Sequence, residues 1–322
     1  MTAEPERVAA RETTGDGRFV RQASRFTDRV SADGTSGFPA QSGRYHLYVS
    51  LACPWAHRVL LVRELCGLHD HVSASAVDPI RDERGWRFDP DADPDRDGHG
   101  PDPVNGFTFL AEAYLATDPD YGGRVTVPVL WDREHGRVVS NEFRDLPRQM
   151  ACELAVLADE PPDLYPEGLR GEIDEVEQRI YEQVANGVYR AGFATSQQVY
   201  ADEARGVFDG LDWLEQRLAD RRYLVGRQLT LADVALYVVL VRFDAVYYSH
   251  FKCNLRRVVD YPALWAYARD LYQRDAFART TDFDHIKRHY YGTHPNLNPT
   301  GIVPIGPQLD WQAPHGRERL DV

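Results

Sequence analysis

Between residues 45 and 50 apolar and polar positions alternate as Tyr45-His46-Leu47-Tyr48-Val49-Ser50, with the two-residue period of a strand. A short turn and Cys53-Pro54 follow. Apolar positions then return at helical spacing at Val59, Leu60, Val62 and Leu65. The pattern predicts a strand over 44–50 and a helix over 54–66, with Gly67 closing it at the C-terminal cap. A second strand is expected over 72–77, then a long polar loop over 79–106 rich in Asp, Pro and Gly. A short helix over 109–115 leads to a strand over 125–131 that Pro128 interrupts. Gly136 turns the chain into a strand over 137–140, and a helix is expected from Asn141 to about Ala155. The order is β-α-β, loop and helix, then β-β-α, which fits a thioredoxin-like layer.

Beyond Pro161-Pro162 the period becomes helical. Ile173, Val176, Ile180 and Val184 form one stripe, and Val207, Leu211, Leu214 and Leu218 another. Thr230 precedes a further helix as its N-cap, with Asp233 three residues on. That is a capping box with Asp in place of Glu or Gln, so Asp233 reads as a structural acid. Another helix runs from Pro262 to about Leu271, and after His294-Pro295 the chain reads as an extended, Pro-rich tail docked on the body. The expected organisation is an N-terminal arm with only local structure over 1–40, a thioredoxin-like domain over 41–158 and an all-helical domain with its tail over 159–322.

Composition narrows the function. The 322 residues carry a net charge of −13, which argues against nucleic acid or an anionic membrane as partner. No apolar run reaches the length of a membrane span, and residues 1–29 lack the apolar core of a secretory signal. Four cysteines, Cys53, Cys66, Cys152 and Cys253, show neither a C-x-x-C pair nor a zinc spacing. Reduced thiols in the cytoplasm, and no metal, are the expectation. Lys252 and Lys287 are the only lysines among 37 basic residues, a bias that points to a high-G+C bacterial genome.

Cys53 is the candidate for chemistry. A cysteine just ahead of a helix lies at the positive end of the helix dipole. Such a place can bring a thiol from about 8.5 into the range of about 3.5–7.5, where it is a thiolate nucleophile; the alternative is a cysteine that merely packs. Trp86 and Phe88 stand in the polar loop, where they cover either the core or a ligand. Val127-Pro128 is a place for a cis peptide that turns the Val127 backbone toward a ligand.

The segment from Tyr45 to Arg58, with Cys53-Pro54-Trp55-Ala56-His57 at its centre, resembles the active-site segment of xi-class glutathione transferases, the S-glutathionyl-hydroquinone reductases. Gly187-Val188-Tyr189-Arg190-Ala191-Gly192-Phe193-Ala194, Val241-Arg242-Phe243-Asp244, His250-Phe251-Lys252-Cys253-Asn254 and His285-Ile286-Lys287-Arg288-His289-Tyr290-Tyr291 resemble further blocks of that family in the same order. So do His294-Pro295 and Asn298-Pro299-Thr300-Gly301-Ile302, so the likeness runs from about residue 26 to 305. It implies a thioredoxin-like domain followed by an all-α glutathione-transferase domain. It implies a reductase that takes a thiol off S-conjugated hydroquinones, small aromatic conjugates, through a mixed disulfide on Cys53. By motif match, Tyr189 and Tyr290 would serve the leaving ring. Trp86, Val127, Pro128 and Glu142 would hold the thiol, and His57 would either support the thiolate or face solvent. The family also implies a homodimer.

One position departs from the family. Where its motif reads Asn-Glu-Ser, this chain has Asn141-Glu142-Phe143. The serine hydroxyl binds the γ-glutamyl carboxylate, and phenylalanine has no such donor. The departure and the high-G+C composition together point to mycothiol in place of glutathione as the co-substrate thiol; weakened but surviving glutathione binding is the alternative. Two other functions stay open on sequence: a general thiol transferase, acting as a deglutathionylase or dehydroascorbate reductase, and a non-catalytic ligand-binding protein on the same fold.

Overall fold

A computed structural model describes residues 13–320; the part of the expected N-terminal arm over 1–12 lies outside the described residues. The described chain divides into two compact units. One takes residues 22–162 and 284–293, the other residues 13–21, 163–283 and 294–320.

The first unit is a four-stranded sheet with helices. Strand β1 (Tyr45–Val49) leads through Cys53 into helix α1 (Pro54–Leu65), and β2 (Val72–Ala76) follows. Gly67 ends α1 in the left-handed region, at φ 67°, as its position predicts. Helices α2 (Pro94–Asp97) and α3 (Ala111–Thr117) precede β3 (Val129–Asp132) and β4 (Arg137–Ser140). The strand order is β2-β1-β3-β4, with β1 parallel to β2 and the other two pairs antiparallel. All five β1 residues are buried, because the strand is central and its sheet is covered on both faces.

Two expectations change. The strand expected over 125–131 starts only at Val129, since Pro128 has no N–H for a ladder. The helix expected from Asn141 begins at α4 (Leu146–Arg148), continues as a π-helical turn over Gln149–Glu153 and ends as a 3₁₀ turn over Leu154–Leu157. Residues 143–145 form a turn in front of it, fixed by the Glu142 carboxylate, which accepts the Arg144 N–H at 3.1 Å. The polar loop over 79–106 is anchored by buried Asp102. Its carboxylate accepts the Tyr48 hydroxyl and the backbone N–H groups of Val104, Asn105 and Phe107, all at 3.0–3.1 Å. The arm from residue 22 on is tied in as well: Thr27 bridges to Ser140, and Val30 N–H donates to the Gln149 side chain at 2.9 Å.

The second unit is helical: α5 (Arg170–Arg179) running on as a π-helical stretch over Ile180–Ala185, α6 (Gly187–Gly192), α7 (Gln197–Leu218), α8 (Leu231–Arg242), α9 (Pro262–Tyr272) and α10 (Asp275–Arg279). Both apolar stripes read from the sequence are buried in it. Every residue of α8 is buried, which marks it as the central helix. The C-terminal tail is docked on this unit. Trp311 packs on Trp265 and Tyr272, and buried Arg317 donates to the carbonyls of Leu218 and Arg222. The last helix, α11 (Phe283–Thr293), was marked in the sequence only as a motif block, and residues 284–293 of it belong to the first unit.

Candidate active site

Parallel β1 and β2 end at the same end of the sheet, and the segments that leave them carry the site. Val77 N–H still donates to the Val49 carbonyl at 2.9 Å, so the two strands separate only after that point. Cys53 is the N-cap of α1, with φ −79° and ψ 123°, and Pro54 starts the helix, where a missing N–H costs nothing. No acidic residue stands in the first turn. The thiol is half-buried and donates to the Val127 carbonyl at 3.7 Å. Val127-Pro128 is cis, the isomer the sequence suggested. A half-buried thiol, a helix N-terminus and a backbone carbonyl thus meet at one place.

The other cysteines differ. Cys66 and Cys253 are buried, and burial pushes each thiol up to about 12, so both are packed sulfur. Cys152 is half-buried and lies within electrostatic range of Cys66.

Of the residues singled out from the sequence, Cys53, Trp86, Val127, Pro128, Glu142 and Tyr290 belong to the first unit. Trp86 is buried, its ring stacked on His289 of α11 at 4.9 Å and 24°. His289 is fixed in turn by a 2.8 Å bond between Nδ1 and the Pro79 carbonyl, and its ring meets Tyr290 edge-on at 5.4 Å. Phe88 is core, packed on Tyr48. Glu142 is half-buried at the turn before α4, and Phe143 beside it packs on Trp55 with ring centres 4.7 Å apart. His57 is buried, which removes the solvent-facing alternative.

Tyr189 belongs to the second unit, on α6. It sits in an aromatic cluster with Phe251 at 5.3 Å and Tyr247 at 6.0 Å, and the Arg21 guanidinium lies over its ring at 5.1 Å. Gly192 is required there, since a Cβ would fall 2.3 Å from the Phe251 ring.

Sequence reasoning missed His289 and Arg81. The first stood inside a quoted motif block, and only the fold brings it to Trp86. The second is one charge among many in the polar loop, and its guanidinium lies over the Trp86 ring at 5.4 Å. Asp78, Asp89 and His99 bring three donor atoms within 4.8 Å of one another. Arg87 already reaches both carboxylates, at 3.3 and 2.9 Å, so a guanidinium offsets part of their charge.

Comparison with known proteins gives the family. Residues 52–148 match the model of the glutathione S-transferase N-terminal domain, and residues 197–270 that of the C-terminal domain. The chain is 48% identical over 313 residues to the glutathionyl-hydroquinone reductase YqjG of Escherichia coli, covering 95% of this chain and 94% of that one. With the glutathione-bound structure of YqjG the TM-score is 0.87, covering 91% of this chain and 96% of that one. Identity to the glutathionyl-hydroquinone reductase PcpF of Sphingobium chlorophenolicum is 47%, covering 90% of both chains. The xi glutathione transferase of Phanerochaete chrysosporium superposes with a TM-score of 0.89 at 45% identity, covering 94% of this chain and 96% of that one.

Proposed function

Because the chain belongs to the xi class of glutathione transferases, the glutathionyl-hydroquinone reductase family, we propose that it reduces S-glutathionyl-hydroquinones to free hydroquinones. The observation that carries this is Cys53: a half-buried thiol on the N-cap residue of α1, its sulfur 3.7 Å from the Val127 carbonyl. The Cys53 thiolate attacks the sulfur of the conjugate. The carbon–sulfur bond breaks, its electron pair leaves with the ring, and the ring carbon takes up a proton. A Cys53–glutathione disulfide remains. A second glutathione thiolate attacks that disulfide, forms oxidised glutathione and returns Cys53 as the thiolate. A resolving thiol from solution makes a second protein cysteine unnecessary.

The remaining roles are those that the family resemblance implies for these positions. Glu142 would hold the γ-glutamyl end, the Val127 backbone would pair with the cysteinyl unit beside Pro128, and Trp86 would lie over the peptide. Tyr290 and Tyr189 are phenols that can donate to a quinone-type oxygen and support protonation of the ring. The reading includes a cytoplasmic homodimer; no helix among the described residues is long and apolar enough to cross a membrane. The test of the ring chemistry is the double variant Tyr189→Phe/Tyr290→Phe. Release of hydroquinone falls about 10²-fold, the usual scale of a lost proton donor, while exchange with a simple glutathione disulfide stays within about twofold. Equal loss of both activities, or loss of neither, overturns the assignment.

One observation favours a second thiol. Phe143 fills the place beside Glu142 against Trp55, and it has no hydroxyl for a γ-glutamyl carboxylate. Mycothiol, whose cysteine carries a sugar and no γ-glutamyl head, needs no such donor. Turnover of one conjugated hydroquinone with each thiol decides the point, and equal or faster turnover with glutathione rejects mycothiol.

A further inference from the structure

Residues 13–21 belong to the helical unit, and they bring a cation onto the ring of Tyr189 there. The segment folds back on itself: Thr13 and Phe19 form an antiparallel bridge, and Thr14 N–H donates to the Arg18 carbonyl at 2.8 Å. Its turn is buried against the chain between α6 and α7. Gly17 has φ 88°, and its carbonyl accepts the Thr195 N–H at 3.2 Å. A Cβ on Gly17 would fall 2.9 Å from the Thr195 hydroxyl oxygen and 3.0 Å from the Ser196 Cβ, so glycine meets both demands of this close approach. Phe19 is buried, with its ring centre 5.5 Å from that of Phe193 and 6.4 Å from that of Tyr189. Arg21 comes next. Its Nε and Nη2 both donate to Asn186 Oδ1, at 3.2 and 3.1 Å. The guanidinium held in this way lies 5.1 Å from the centre of the Tyr189 ring and 5.4 Å from that of Phe19. Asn186 is the N-cap residue of α6 and Tyr189 stands in the first turn of that helix, so cation and ring are fixed to one frame.

We infer that Arg21 is a positioning residue for Tyr189, and that through it the N-terminal segment serves the step in which the aromatic ring leaves. The inference rests on the reading of Tyr189 as a hydrogen-bond donor to the ring oxygen of the substrate. A phenol that donates to a quinone-type oxygen gathers negative charge on its own oxygen and ring as that bond tightens. A guanidinium over the ring attracts this growing charge, so the contact is stronger in the transition state than before it. Such a difference accelerates a step, whereas packing that is equal throughout does not. The hydrogen bonds to Asn186 supply the other half of the role. They hold a planar cation at one place over the ring, which a single ammonium on a flexible stem does less well. No proton passes through Arg21.

The test is a cycle of variants in the full chain: Arg21→Gln, Tyr189→Phe and the two together, with Arg21→Lys beside them. Each is assayed for release of hydroquinone from an S-glutathionyl-hydroquinone and for exchange with a simple glutathione disulfide. Rates are taken below the melting transition of every variant, so that lost folding is not read as lost chemistry. Arg21→Gln slows hydroquinone release about fivefold, the scale of one contact between a cation and an aromatic ring, while disulfide exchange stays within about twofold. Arg21→Lys recovers part of the loss, because it keeps the charge and loses the planar fork. Tyr189→Phe keeps the ring and removes the hydroxyl; in that background Arg21→Gln changes release by less than about 1.5-fold, since the two residues act as one unit. An unchanged release rate in Arg21→Gln, with Tyr189→Phe slow, overturns this inference and leaves the reading of Tyr189 standing. A loss of the same size in the Tyr189→Phe background also overturns it, because Arg21 then supports packing and not the phenol. Equal loss of both activities in Arg21→Gln does the same. If Tyr189→Phe alone leaves release unchanged, the reading of Tyr189 fails and this inference falls with it.

Discussion

Two helices in this molecule begin in opposite ways. Helix α8 starts at Thr230, and its exposed backbone ends are closed from within. Asp233 accepts the Thr230 N–H at 2.8 Å and the Thr230 hydroxyl at 3.0 Å, and its other oxygen takes the Leu224 N–H and the Tyr267 hydroxyl. The carboxylate is wholly buried and every lone pair has a donor. Helix α1 starts at Cys53 with no side-chain cap and no acid in its first turn. The same positive helix end is thus spent on architecture in one unit and left for a sulfur anion in the other. What separates a structural helix start from a chemical one here is whether the chain supplies its own anion.

The sharpest way to break the comparison is to remove the sulfur. Cys53→Ser keeps the cap geometry, since serine is a preferred N-cap, but its hydroxyl is not ionised near neutral pH. Turnover is expected to fall by about 10³-fold or more, the scale of a lost nucleophile, with thermal stability unchanged or slightly raised. Steady-state rates and intact mass after thiol treatment check this; a surviving mixed disulfide on another cysteine would refute the assignment. Cys66 and Cys253 serve as internal controls, because thiols pushed up to about 12 stay unalkylated at pH 7 in the folded protein.

The converse change belongs to the other helix. Asp233→Ala strands the Leu224 and Thr230 N–H groups and the Tyr267 hydroxyl in the core. At roughly 1–3 kcal/mol for each unsatisfied buried group, eased by local rearrangement, about 3 kcal/mol of stability is lost. That corresponds to a fall in melting temperature of about 10 °C for a domain of this size. The turnover of the fraction still folded is unaffected at low temperature. A rate defect without a stability defect would mean that Asp233 takes part in chemistry.

Both helix starts were legible in the sequence because their signals are local: Thr-Leu-Ala-Asp spells a capping box, and strand-turn-Cys-Pro spells a thiol at a helix end. The sheet was legible for the same reason, since its four strands are short periodic runs. What stayed hidden is what the fold assembles from distant segments. Nothing in Pro79, Trp86 and His289 announces that a carbonyl, an indole and an imidazole 210 positions away form one column. Arg81 could not be told from any other loop arginine until its place over the Trp86 ring was visible. The start of α4 was misjudged because a carboxylate side chain, Glu142, does there what helical backbone was expected to do.

That third helix start gives the smallest and most discriminating change. In front of α4 the Glu142 carboxylate caps the turn by accepting the Arg144 N–H, and Phe143 packs on Trp55. It is neither closed like α8, where the acid is buried beneath the core, nor left open like α1. Phe143→Ser places a hydroxyl beside Glu142 and clears an aromatic ring from the same spot. A hydrogen bond to a carboxylate contributes about 1.5–3 kcal/mol, and the lost contact with Trp55 offsets part of it. The expected result is a KM for glutathione lowered by about tenfold, with kcat little changed because the sulfur chemistry at Cys53 is untouched. The KM for mycothiol should stay the same or rise, since the gained hydroxyl has no γ-glutamyl carboxylate to meet. If the substitution leaves both thiols unmoved, residue 143 does not read the thiol, and the choice between them is made elsewhere in the molecule.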